Sequence, residues 1–269
     1  MLRDTIASVG NHFLIGLRPS PTLDDYDRAL LSDLRPAGVI LFKSNFRHDL
    51  PYKTWLESHA RLIADLRAAT GRERMLIAID HEGGRVCRTP PPITRFAYAA
   101  RWAEQAAEVG HAIGQELASL GINLNFAPVL DIHTNPKNPV IGERAFGQTA
   151  DSVIAAALPF VEALQGEKII ACGKHFPGHG DTSIDSHFGL PSQTLGLDAL
   201  RARELKPFAA AIDAGLSMIL LAHILYPAVD PDAPVALSRR FATGILRGEL
   251  GFAGVAISDD IGMGAMKGL

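Results

Sequence analysis

Ile169-Ile170-Ala171-Cys172-Gly173-Lys174-His175-Phe176 runs directly into Pro177-Gly178-His179-Gly180-Asp181-Thr182-Ser183-Ile184-Asp185-Ser186-His187. The first part reads as a strand, an apolar run bounded by Pro and Gly. From Lys174 onward, three histidines, two aspartates and a lysine crowd into one glycine-punctuated loop. A polar surface loop with chance histidines would also fit, but loops held by rigid elements are where chemistry is placed. His175 and His179 stand four apart, as zinc-binding histidines on a helix do. Pro177, Gly178 and Gly180 forbid a helix here, so the two imidazoles would not share a face and no metal site is expected.

Similar short runs recur on either side of this stretch, at 12–17, 37–42, 75–80, 123–131, 217–223 and 254–259. Between the seven runs, residues 23–34, 52–69, 101–120, 152–164, 199–214 and 239–250 show helical spacing. That alternation predicts parallel strands joined by crossover helices. Ser238 is placed to cap the last helix, and Gly121, Gly166, Gly215 and Gly251 mark helix ends. No repeat, low-complexity tract or long linker divides the chain, so 1–269 reads as a single domain.

Asp80, Asp131, His175, His223 and Asp259 all fall at or just after the C-terminal end of an apolar run. Barrels and doubly wound sheets both bind ligands at strand C-termini. Polar groups after nearly every strand favour the barrel, because an open sheet gathers them near one crevice. The expected fold class is α/β, a TIM-type (β/α)8 barrel. One strand-end Asp could simply cap the next helix; five polar strand ends together are a site.

At 269 residues and 47% hydrophobic composition, the chain can bury a large core. A formal net charge of −3 and the lack of any long basic run give no general attraction to phosphate backbones or anionic membranes. Neither nucleic acid nor membrane is an expected partner. No apolar stretch approaches membrane-spanning length, and residues 1–11 lack the pattern of a secretory signal, so a cytoplasmic location is expected. Cys87 and Cys172 lie far apart and outside any metal-type pair, which fits a reducing compartment.

Ser258-Asp259-Asp260 puts two carboxylates directly after a strand, so at least one should point into the central cavity. The other is expected to cap the following helix or to face solvent. Asp80-His81-Glu82-Gly83-Gly84-Arg85-Val86-Cys87-Arg88 follows a strand with carboxylates, paired glycines and two arginines. Carboxylate and guanidinium together suit a polyhydroxylated ligand, one accepting from hydroxyls and the other donating to their oxygens. Internal ion pairs between Glu82 and arginines are the bland alternative. Neither the dinucleotide fingerprint nor the phosphate-loop lysine is present. Gly142-Glu143-Arg144-Ala145-Phe146-Gly147 offers a further arginine.

Together these residues carry a family resemblance. Asp80-x-Glu82-Gly83-Gly84-Arg85-Val86, Gly142-Glu143-Arg144-x-Phe146, the long Lys174 to His187 segment and Ser258-Asp259-Asp260 stand in the order and spacing of glycoside hydrolase family 3. Within it, the chain resembles the bacterial β-N-acetylglucosaminidases of cell-wall recycling. The resemblance implies a retaining exo-glycosidase that removes terminal β-linked N-acetylglucosamine. Asp259 matches the nucleophile, His187 the general acid/base and Asp185 its dyad partner. Asp80, Arg88, Arg144, Lys174 and His175 match positions that hold the terminal sugar.

No cofactor is implied. The implied substrate is a small carbohydrate, a peptidoglycan fragment carrying N-acetylglucosamine linked to anhydro-N-acetylmuramic acid, and the full-length form is expected to be a monomer. A related β-glycosidase or glycoside phosphorylase, and a truncated sugar-binding protein, are the alternatives. The sequence departs from the family at His81 and Cys87, where glutamines are usual. It also stops at Leu269, where relatives continue through an eighth strand and final helices, so a C-terminally incomplete barrel with exposed first and seventh strands is expected.

Overall fold

The computed structural model describes residues 9–186 and 189–267. Seven strands form one sheet in chain order: β1 (Leu14–Gly16), β2 (Gly38–Leu41), β3 (Leu76–Ile79), β4 (Leu124–Asn125), β5 (Ile170–Phe176), β6 (Met218–Leu221) and β7 (Val255–Ser258). Every neighbouring pair is parallel. An unreversed strand order is that of a barrel, since a doubly wound sheet reverses at its switch point. The architecture is a TIM-type (β/α) barrel represented by seven strands, with β1 and β7 as the two edges.

The connections are α1 (Asp25–Leu34), α2 (Tyr52–Thr70), α3 (Ala106–Ser119), α4 (Ala150–Gly166), α5 (Leu197–Ala202) and α6 (Leu205–Asp213). Helix Arg240–Glu249, wound in the wider π pattern, leads into β7.

Strand side chains alternate between two apolar compartments, as a pleat requires. Val39, Ile77, Ala171, Ile219 and Ala256 face outward into the large core beneath the helices. Ile40, Ala78, Leu124, Cys172, Leu220 and Ile257 point inward and form a smaller cluster inside the barrel. That inner cluster is the floor on which the polar strand ends rest. On the outside, α3 and α4 approach closely because Gly110 has no side chain; a Cβ there would lie 2.9 Å from the Phe160 carbonyl oxygen.

Four sequence expectations change. The run 123–131 is regular only at Leu124–Asn125. Pro128, which follows a cis peptide bond, has no N–H to donate to the ladder, and pairing resumes only as an isolated bridge between Val129 and Lys174. The run 199–214 is two helices that break at Arg203 and Glu204, whose side chains turn towards the loop after β5. Helix 101–120 begins five residues late, after two short 3-10 turns. Gly166 belongs to α4, and the left-handed residue after that helix is Lys168. Elsewhere the signals act as read: Gly121, Gly215 and Gly251 have positive φ, and the Ser238 hydroxyl accepts from the Phe241 N–H at 3.2 Å. No helix among the described residues is long and apolar enough to cross a membrane.

Candidate active site

One cavity of about 850 Å³ opens at the C-terminal ends of the strands, within the range of small-molecule sites. It is lined by Asp80, Arg88 and Arg144, by Lys174, His175 and Asp185, and by Asp259. Every sequence-nominated residue that lies among the described ones therefore borders a single space. His187 lies outside the described residues.

Glu82 is buried among cations. Arg144 grips it with two parallel bonds of 2.8 Å, from Nε and Nη2, and Lys174 Nζ lies 2.5 Å from its Oε1. Burial alone would raise the Glu82 carboxyl, but Arg144 and then Lys174 outweigh it and hold the group well below the ordinary carboxylate range. Lys174 also reaches Asp80 at 2.7 Å, and Arg88 stands 3.6 Å from the other Asp80 oxygen. Asp80 is half-buried, so it can still accept hydrogen bonds from a ligand in the cavity. Glu82 is an ion-pair partner, as the bland reading has it, but of Arg144 and Lys174 rather than of Arg85 or Arg88, and Arg144 is one of the residues nominated for the sugar.

A second buried carboxylate organises the histidine loop. Asp131 accepts from His175 Nδ1 at 2.6 Å and from the backbone N–H groups of His175 and His179 at 3.2 and 2.6 Å. Its own burial would raise it, but His175 overrides this and holds it low. With Nδ1 donating to Asp131, His175 keeps Nε2 for the cavity. His179 is fully enclosed, with Nδ1 2.7 Å from the Thr182 hydroxyl and Nε2 3.1 Å from the Ser186 hydroxyl. The His175 and His179 rings meet edge to face at 5.7 Å, and no cluster of three metal-ligating residues occurs among the described residues.

Asn138 braces the same loop. Its Nδ2 donates to His179 O at 2.8 Å, and its Oδ1 accepts from the N–H groups of Val140 and Ile141. Neither Asn138 nor the pivot role of Asp131 was nominated from the sequence. Asp131 was visible as a polar strand end; an isolated Asn in a long connection gave no signal.

At the end of β7, the Asp259 N–H donates to Leu221 O at 3.0 Å, continuing the ladder for one more residue and fixing where the carboxylate stands. Its Oδ1 accepts from the Asp260 N–H. Asp260 is the turn-former of the pair: Oδ1 accepts from Gly262 N–H at 2.8 Å and its carbonyl accepts from His223 Nε2 at 3.0 Å. Asp185 is half-buried and also lines the cavity.

The buried imidazoles give an acid-side prediction. Burial lowers His81 to about 4 and His179 to about 4. Unfolded histidine titrates near 6.5, so between these values the unfolded chain binds more protons and stability falls as pH falls. Each ring is expected to remove about 2 kcal/mol between pH 7 and pH 5. Urea unfolding at both pH values, with His81→Gln alongside, tests this. The variant should lose about 2 kcal/mol less than the wild type over this range, and an equal loss would sink the assignment to His81.

A parallel barrel whose strand ends gather paired carboxylates and cations around one deep cavity defines an enzyme scaffold for a polar, hydroxyl-rich substrate. Residues 11–268 match the glycosyl hydrolase family 3 N terminal domain. The chain belongs to glycosyl hydrolase family 3, as an enzyme of its beta-hexosaminidase group. It is 38% identical over 257 residues to a beta-hexosaminidase of Chromobacterium violaceum, covering 91% of this chain and 69% of that one. It is 40% identical over 240 residues to one of Xanthomonas oryzae pv. oryzae, covering 85% and 69%.

Among solved structures, a family 3 beta-N-acetylglucosaminidase from Paenibacillus sp. superposes with a TM-score of 0.89 at 37% identity over 99% of this chain. This chain spans half of the Paenibacillus chain. NagZ from Neisseria gonorrhoeae, in complex with N-trifluoroacetyl-D-glucosamine, superposes with a TM-score of 0.84 at 34% identity, covering 94% of this chain and 75% of that one.

Proposed function

We propose that the chain carries the catalytic barrel of a retaining exo-β-N-acetylglucosaminidase acting on peptidoglycan-derived fragments through a covalent glycosyl-Asp259 intermediate. The observation that carries this reading is the convergence of Asp259 and Asp185 with Asp80, Lys174 and His175 on one cavity. Relatives named beta-hexosaminidase, and a neighbour that holds an N-acylated glucosamine, support the sugar.

Asp80, flanked by Lys174 and Arg88, accepts from the hydroxyls of the terminal sugar, while Lys174 and His175 donate to its oxygens. The Asp259 carboxylate attacks the anomeric carbon as the bond to the leaving oxygen breaks, and His187 supplies that oxygen with a proton. Water then attacks the same carbon, His187 takes the water's proton, and Asp259 departs as a carboxylate. Histidine suits this work because its ordinary pKa is near neutrality, and Asp185 as its partner would fix the tautomer and stabilise the charged ring.

The role of His187 predicts a leaving-group signature. His187→Ala should lose about 10²- to 10⁴-fold in kcat on a disaccharide with a poor leaving group and far less on a nitrophenyl glycoside. Equal retention on both substrates would remove His187 from the mechanism. Running the assay with and without inorganic phosphate separates hydrolysis from phosphorolysis.

A further inference from the structure

The loop after β5 leaves the interior at Ser183 and Ile184, which are exposed, and re-enters it at Ser186, which is buried. Proton transfer is assigned above to its two neighbours in sequence, Asp185 and His187. The hydroxyl of Ser186 lies 3.1 Å from His179 Nε2, and its carbonyl accepts from the Ala265 N–H at 3.1 Å.

The first of these contacts reaches the root of the loop. Burial keeps the His179 ring neutral near pH 7, so one ring nitrogen donates and the other accepts. Nδ1 meets the Thr182 hydroxyl at 2.7 Å, Asn138 Nδ2 donates to that hydroxyl at 3.2 Å, and the His179 N–H donates to Asp131 at 2.6 Å. Removing the Ser186 hydroxyl would leave a buried ring nitrogen unpaired, which costs more than the bond contributes. The second contact crosses to the nucleophile strand. The Asp260 carbonyl accepts from the Met263 N–H at 3.1 Å, the chain turns through Gly264–Met266, and the Ala265 N–H in that turn is the donor to Ser186.

We propose that Ser186 is a positioning residue that ties the loop bearing Asp185 to the turn following Asp259, and so sets proton delivery against the nucleophile. This rests on the glycosidase reading of the cavity. The hydroxyl and carbonyl of Ser186 are both spent on the protein, so it acts through its neighbours.

The test reads kcat/KM, which reports the glycosylation step, for phenyl and 2,4-dinitrophenyl β-N-acetylglucosaminide. Ser186→Ala should fall about 5- to 30-fold on the phenyl glycoside, whose leaving group needs a proton, and less than about threefold on the dinitrophenyl glycoside. Ser186→Cys, similar in size with a weaker donor, should recover part of the phenyl loss. By NMR, exchange of the Ala265 amide should be slow in wild type and faster by a similar factor in Ser186→Ala. An equal fall on both substrates, or no fall, overturns the positioning role and leaves the hydrolase reading intact. A wild type that turns over neither glycoside overturns the hydrolase reading and the role in proton delivery with it, while faster Ala265 exchange in Ser186→Ala would still uphold the tie between the two loops. An Ala265 amide that exchanges freely in wild type overturns the tie, whatever the variants do.

Discussion

Replacing Glu82 with leucine is expected to destabilise the fold by about 3–5 kcal/mol and to lower its melting temperature by roughly 10 °C. The carboxylate is buried and answers two buried cations, Arg144 through both of its oxygens and Lys174 through one. Leucine has a similar bulk but leaves Arg144 with only the Val140 carbonyl, at 3.3 Å, to satisfy it. Lys174 retains Asp80 at 2.7 Å, so most of the loss falls on the uncompensated guanidinium. Arg144→Lys keeps the charge but abandons the forked geometry, and should fall between wild type and Glu82→Leu. Calorimetric melting of the three proteins at one pH and salt concentration measures this. A shift below about 2 °C for Glu82→Leu would mean that water or rearranged side chains solvate Arg144, and that the cluster is no structural element.

That cluster also shows where sequence reading stops. Strand and helix order was legible because periodicity is a local property: the alternation of Val39 with Ile40 and of Ile219 with Leu220 sorts residues to the two faces without knowledge of the neighbours. Polar strand ends were legible for the same reason, and the seven-strand barrel follows from them. What a single sequence does not encode locally is which polar groups meet. Glu82 and Arg144 are 62 positions apart, Lys174 and Asp80 are 94 apart, and only strand closure joins them. The short β4 was hidden because hydrophobicity continues through Phe126 to Leu130, whereas hydrogen bonding is limited by Pro128. The break at Arg203 was hidden because the side chains on either side of it are ordinary helix formers. It follows from Arg203 reaching Asp181 at 2.9 Å, a contact made only in the folded chain.

Asp259→Asn is expected to lower turnover of a nitrophenyl β-N-acetylglucosaminide by at least about 10³-fold, whereas Asp260→Asn should change it by less than about threefold. The two carboxylates are neighbours in sequence but differ in what they do for the backbone. Asp260 Oδ1 closes the turn to Gly262, and asparagine retains that acceptor oxygen. Its carbonyl, which receives His223 Nε2, is unchanged by the substitution. Asp259 is carried by the last bond of the β6 to β7 ladder, and its side chain borders the cavity shared with Asp80, Lys174 and His175. An amide there keeps shape and hydrogen bonding but cannot form the acylal-type bond to the anomeric carbon, so the loss isolates nucleophilicity from packing. A matched melting temperature for the two variants establishes that the fold is intact. Mass spectrometry of acid-quenched wild-type enzyme should then find the sugar on the peptide containing Asp259, with no adduct on that peptide in Asp259→Asn. Turnover above about a tenth of wild type in Asp259→Asn would end the covalent route through this residue. Loss confined to Asp260→Asn would instead transfer the role to the turn-former and require the loop after β7 to refold when substrate binds.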